Sequence, residues 1–169
     1  MTHAIVLIQA ERAGLATLGG ELGEEGVENV SDPNMGGTVS FGNVSVRVVP
    51  AWHTSTTPNG TVSPPAGLLI QFQDTVVYHL GDTCLFSDLQ LVGKRTPIDI
   101  ALMCIGGHYT MDRVDAVDAA ELVAAKTVIP CHYNTFPAIE TDAQAFKADV
   151  ESQTSSKVVV LEPGETHSP

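Results

Sequence analysis

The sequence predicts a mixed α/β domain of the α+β class, a sheet with helices packed on it. Three observations carry this. Residues 38–80 alternate short β-branched runs with two-residue turns, which is hairpin patterning. Residues 98–161 alternate apolar strands with helix-forming segments. The composition, 43% hydrophobic and 17% charged, is that of a globular chain with a core. At 169 residues, with no internal repeat and no interdomain linker, the expectation is one domain, 1–169.

Taken in order, residues 4–8 read as a short apolar strand. Residues 11–26 place Leu15, Leu18 and Leu22 at helical spacing, but Gly14, Gly19, Gly20 and Gly23 each cost about 1 kcal/mol relative to Ala in a helix interior, so a helix there is weak. Residues 26–30 read as an edge strand, and Asp32, Pro33, Asn34, Gly36 and Gly37 as turn material. A hairpin follows over 38–41 and 44–49, turning at Gly42 and Asn43, then a loop over 54–65. A second hairpin covers 67–72 and 75–80, turning at Gln73 and Asp74. Residues 84–93 hold a short helix. The continuous apolar run 98–105 suits a buried strand and ends at Gly106 and Gly107. Residues 114–125 are helix formers, with Asp112 or Asp115 near the start as cap and dipole partner. Residues 127–129 are a strand. Residues 141–153 are a helix with Thr141 as N-cap and Ala145, Phe146 and Val150 on one face. A final strand spans 157–161.

The charge balance narrows the function. With 20 acidic and 8 basic residues, net −12, the chain lacks the clustered cations that hold nucleic-acid phosphates or an anionic membrane surface. No apolar run reaches the ~18–20 residues that cross a bilayer. The first residues do not follow a secretory-signal pattern, and three well-separated cysteines suit a reducing compartment. The expected location is cytoplasmic, and the expected partner a small molecule.

Three apolar runs end abruptly in a side chain able to bind a metal. Residues 44–49 run into His53, residues 76–80 into Asp82, and residues 127–129 into His132. Imidazole nitrogen and carboxylate oxygen are the donors a divalent metal takes, and a carboxylate has two oxygens with which to bridge a pair of metals. Spacing alone is not diagnostic, since no local ligand pattern such as HExxH or CxxC is present. Plain alternatives remain at each position: a loop or core histidine at 53, a turn or cap at Asp82, ordinary packing at His132. Adjacent strand residues point to opposite faces, so Cys131 is not expected to act with His132 as a nucleophile. Asn134 and Thr135 are candidates for orienting the His132 ring through hydrogen bonds.

Four blocks of sequence add a resemblance. These are Pro50, Ala51, Trp52, His53, Thr54 and Ser55; the run from Tyr78 through His79, Gly81, Asp82, Thr83 and Cys84 to Phe86; Ile105, Gly106, Gly107, His108, Tyr109, Thr110 and Met111; and the run from Pro130 through Cys131, His132, Tyr133 and Asn134 to Pro137. In this order they resemble the uncharacterised metal-dependent hydrolases of the metallo-β-lactamase superfamily, over about residues 11–165. The resemblance implies an αββα sandwich with its sites at the rim between two sheets. It implies divalent metal, zinc or manganese, two in the intact family site, with Asp82 bridging and His53 and His132 completing one metal each. Asp82 and His108 are the implied catalytic residues, His108 for substrate contact or proton transfer. The implied reaction is attack of metal-activated water on an ester, lactone, amide or phosphodiester. The family's His-Xaa-His-Xaa-Asp-His block has no counterpart here, so the expectation is the C-terminal portion of the family domain, incomplete at its N-terminal side. The alternative is a catalytically inactive remnant, or a module that self-associates as a homo-oligomer without a complete metal site.

Overall fold

A computed structural model of the chain describes residues 31, 33–56, 60 and 62–168. The strands expected at 4–8 and 26–30 and the weak helix at 11–26 lie outside the described residues. Those described form one seven-stranded sheet with strands in chain order. They are β1 (Thr38–Phe41), β2 (Val44–Pro50), β3 (Ala66–Phe72), β4 (Thr75–His79), β5 (Ile100–Cys104), β6 (Thr127–Cys131) and β7 (Lys157–Val158). Strands β1 to β4 are two antiparallel hairpins joined in sequence. Strands β4 to β7 are parallel, and helices α1 (Leu89–Arg95), α2 (Arg113–Val123) and α3 (Ala143–Gln153) make their crossovers. This is the mixed α/β architecture read from the sequence. A 3₁₀ turn, Pro137–Ile139, follows β6.

The two faces of the sheet differ in what covers them. Leu69, Tyr78, Ala101, Val128 and Val158 lie in one cross-strand row. They pack with Leu89 of α1, with Ala116, Ala119, Ala120 and Val123 of α2, and with Phe146 and Val150 of α3. Full burial of each larger side chain contributes about 1.5–3 kcal/mol. Small residues on α2 bring the helices close. A methyl group at Gly93 of α1 would lie 2.2 Å from the Val123 carbonyl oxygen of α2. The other face carries the row Val48, Leu68, His79, Leu102 and Ile129. Val48, Ala66 and Leu68 there form a second apolar cluster with Met35, Val46 and Ile70.

The two longer helices start on carboxylate caps, with one difference from expectation, while Asp88 before α1 makes no side-chain cap bond. The Asp112 carboxylate accepts from the Val114 and Asp115 amides and starts α2. In α3 the cap is Asp142, accepting from the Gln144 and Ala145 amides, not Thr141. Carboxylate and hydroxyl compete for the same orphan amides, and only the residue immediately before the first turn is in register to reach them. The first helix covers Leu89–Arg95, starting inside the segment 84–93 expected to contain it and running two residues past its end, and the last strand is two residues where five were expected.

Candidate metal centre

The topology gathers the three abrupt endings on one edge. Strands β4, β5 and β6 are parallel, so Asp82, the loop beginning at Ile105, and His132 leave the sheet on the same side. Two antiparallel pairings separate β2 from β4, so β2 runs in the same sense and releases His53 there as well. The crevice outside the carboxyl ends of sheet strands is where ligands bind in open α/β sheets.

Thr83 ties these endings together. Its hydroxyl accepts from the Trp52 amide at 2.9 Å and donates to the Cys84 carbonyl at 3.0 Å. The Cys84 amide donates to the Trp52 carbonyl at 3.1 Å, and the Met111 amide to the Thr83 carbonyl at 3.0 Å. Thr83 is fully buried. One threonine therefore links the loops that carry His53, Asp82 and His108. A second close approach joins the His132 loop to β5. A methyl group at Gly106 would lie 2.4 Å from the His132 carbonyl oxygen and 2.8 Å from Ile139 Cβ. Glycine is required there because the two backbones touch.

Asp82 and His132 meet. Oδ2 of Asp82 lies 3.6 Å from Nε2 of His132, and their side chains are 14% and 26% exposed. That separation is too long for a hydrogen bond. Nδ1 of His132 is buried without a hydrogen-bond partner among the described residues. His132 also holds a left-handed backbone, φ 53°, which costs a non-glycine residue about 1–3 kcal/mol and concentrates at functional sites. A half-buried imidazole that faces a carboxylate without bonding it, its buried Nδ1 unsatisfied, is a poor structural element, and the two side chains make a suitable pair of donors for a cation.

His53 is half-buried on the loop after β2, and its Nδ1 lies 2.6 Å from the Thr54 carbonyl. A carbonyl only accepts, so Nδ1 carries the proton and the Nε2 lone pair is left for a ligand. His108 is exposed, with φ 57°, and its ring meets Tyr109 edge-on at 4.4 Å. Neither joins Asp82 and His132 as a third donor: among the described residues no group of three or more His, Cys, Asp or Glu is placed to hold a metal ion. The residues thus fit a divalent cation at the Asp82–His132 pair, as two donors of a site and not a full set.

Neighbouring titratable groups are held neutral. Burial lowers the His79 imidazole, partly offset by the Asp82 charge, and Nδ1 of His79 accepts from the Gly81 amide at 3.0 Å. That bond shapes the turn leading to Asp82, for which Gly81 takes φ 73°. Burial, then the charges of Cys104 and Asp82, push the Cys131 thiol far up, so it is no nucleophile at neutral pH. Asn134 does a different job from the one expected of it. Its side-chain oxygen accepts from the Thr141 amide at 2.7 Å, and its amide donates to the Ile139 carbonyl, so it closes the turn after His132. The role of Thr83 was not predicted from the sequence, where a hydroxyl gives no sign of a partner 31 positions away.

Comparison with known proteins identifies the family to which the chain belongs. Residues 13–132 match the family described as a beta-lactamase superfamily domain. A UPF0173 metal-dependent hydrolase of Thermofilum pendens is 44% identical over 166 residues, which is 96% of this chain and 70% of that protein. The Oenococcus oeni protein of the same name is 50% identical over 117 residues, 67% of this chain and 51% of its own length. The chain thus spans between about half and 70% of these two relatives. Among solved structures, Igni18, a metallo hydrolase from Ignicoccus hospitalis, superposes with a TM-score of 0.80 at 37% identity, covering 89% of this chain and 65% of that one. The fold, the blocks at the rim and the identity over nearly its whole length make this chain a member of the metallo-β-lactamase superfamily, in the family of the UPF0173 metal-dependent hydrolases.

Proposed function

We propose that this chain carries the carboxyl-end half-site of a metal-dependent hydrolase, which cleaves an ester, lactone, amide or phosphodiester of a small molecule with metal-activated water. The observation that carries this is the Asp82–His132 pair, 3.6 Å apart at the rim with no hydrogen bond between them. A divalent cation, zinc or manganese, bound there would supply Lewis-acid polarisation and a water acidic enough to ionise near neutral pH. Asp82 would contribute the negative charge and two oxygens and His132 its Nε2 lone pair, while His53, which leaves the sheet on the same edge without converging on the pair, would add a nitrogen only by closing onto the cation. His108, exposed on the loop after β5 at the same edge of the sheet, would exchange a proton with the substrate or leaving group. Thr83 and Gly106 tie together the loops that carry these groups. We place the protein in the cytoplasm as one domain acting on a small molecule. Among the described residues no helix is long and apolar enough to cross a membrane.

Metal analysis of protein purified without chelator tests the reading. About one or two zinc or manganese ions per chain are expected, falling in Asp82→Asn and in His132→Gln. A content near zero that added metal does not raise overturns it. The lack of a third converging donor among the described residues supports a second reading, a folded chain that self-associates without catalysis. Sedimentation as an oligomer together with absent metal favours that one.

A further inference from the structure

We propose that this rim receives an uncharged substrate bearing an aromatic ring, seated against Tyr109 and Phe136. The proposal rests on the hydrolase reading for the reaction and on two other observations for the ligand.

The first is where the exposed aromatic side chains lie. Trp52 is 64% exposed, Tyr109 55% and Phe136 45%. Each sits on a different loop of the same sheet edge, after β2, β5 and β6 respectively. Tyr109 meets His108 edge-on at 4.4 Å and Phe136 at 6.2 Å, so the rings run from the β5 loop to the β6 loop. The loop that presents Tyr109 is tightly held. Gly107 and His108 are both left-handed, φ 69° and 57°. The Gly107 amide donates to the Met111 carbonyl, and the Met111 amide to Thr83. Aromatic rings fixed at a site mouth bind flat apolar groups by stacking and by removing their surface from water.

The second is where the cations are. Of the eight Lys and Arg residues, only Arg12 lies outside the described residues. Segments 51–56, 80–88, 105–112 and 131–142, which build the rim, contain none; they contain Asp82, Asp88, Asp112, Glu140 and Asp142. Lys126 pairs with Asp99 at the opposite edge of the sheet, and Arg113 pairs with Asp149 across α2 and α3. Lys94 and Arg95 end α1 at its far end, and Lys157 starts β7 at the opposite edge. Arg47 lies within β2 and Lys147 within α3. Apart from a metal held at Asp82 and His132, an anionic substrate would find carboxylates there and, among the described residues, no lysine or arginine but Arg113, already paired with Asp149; this costs binding and slows encounter. Among the substrates compatible with the hydrolase reading, this pattern selects esters, lactones and amides over phosphodiesters.

The test uses the full chain, chelator-treated so that a carboxylate probe has no metal to ligate. Phenylacetamide, phenylacetate and acetamide are titrated by ligand-observed NMR and by fluorescence of Trp52, the chain's single tryptophan. Phenylacetamide is expected to bind about tenfold tighter than either of the others. Tyr109→Ala and Phe136→Ala should each weaken it about threefold or more, and Tyr109→Phe should retain it. Equal or tighter binding of phenylacetate, no binding of phenylacetamide, or alanine variants that bind like the parent chain would each overturn the proposal. The zinc- or manganese-loaded chain is then assayed with phenyl acetate and bis(4-nitrophenyl) phosphate. Faster turnover of the phosphodiester also overturns the proposal but leaves the hydrolase reading standing. Turnover of neither removes the hydrolase reading, while the binding data still decide the ring and charge preference.

Discussion

Thr83 shows how much of a rim can depend on one hydroxyl. Replacing it with Val keeps the volume and removes the acceptor of the part-buried Trp52 amide. That change is expected to cost about 1–3 kcal/mol in urea unfolding, and to lower metal content beyond what stability explains, whereas Thr83→Ser retains both. At Gly106 the expected effect is steric. Gly106→Ala places a methyl group 2.4 Å from the His132 carbonyl, so a loss of about 1–3 kcal/mol is expected, together with displacement of His132 from Asp82. His79 sets an acid limit. Burial lowers its imidazole below the ordinary value, so below about pH 6.5 the unfolded chain takes up the proton first. Its contribution to stability is complete above that pH and is lost as pH falls towards the lowered folded value. Urea midpoints at about pH 7.5 and about pH 5.5 should therefore converge in His79→Gln relative to the parent chain. Residue identity was legible at this scale where chemistry names itself, as at Asp82 and His132. It was illegible where a role is relational: neither the Thr83 hydroxyl nor the Gly106 contact leaves a local pattern.

At the scale of elements, caps and strand ends decide where each side chain leaves the sheet. Asp112→Ala and Asp142→Ala should each destabilise by about 1 kcal/mol, and Thr141→Ala by less than about 0.5 kcal/mol, in chemical unfolding. The reverse ranking at α3 would return the cap to Thr141. Strand β6 runs two residues further than its apolar pattern suggested, through Pro130 to Cys131. A proline usually argues against a strand with neighbours on both sides. Here the Ile105 amide bonds the Cys131 carbonyl on the β5 side, so by alternation the Pro130 nitrogen faces the β7 side. There β7 pairs with β6 only through Lys157 and Val158, and no ladder partner is lost. Those two extra residues carry His132 out to the level of Asp82. The hairpins were legible because their turns sit between strict alternations. The reach of β6 was not, because it depends on how short its neighbour is.

For the whole molecule, the sense of each strand was enough to bring three sequence-distant endings to one edge, but sense does not set distance. Asp82 and His132 come within 3.6 Å because their strands flank β5 in a parallel register, whereas His53 reaches the same edge by two antiparallel pairings and stops short of a three-donor group. Stability linkage measures whether these donors act as one site. A cation that binds only the folded chain stabilises it by RT ln(1 + [L]/Kd), about 2.7 kcal/mol at one hundred times Kd. For a chain of this length that corresponds to a rise in Tm of roughly 5–10 °C. Zinc or manganese should produce such a rise in the parent chain and in Lys126→Ala, whose charge lies at the far edge. Asp82→Asn and His132→Gln should abolish it, and His53→Gln should reduce the apparent affinity if its free nitrogen closes onto the cation. An unchanged Tm in the parent chain would mean that the Asp82–His132 pair, on its own edge of the sheet, lacks the donors to retain a metal. A rise that survives Asp82→Asn would place the cation elsewhere on this acidic surface.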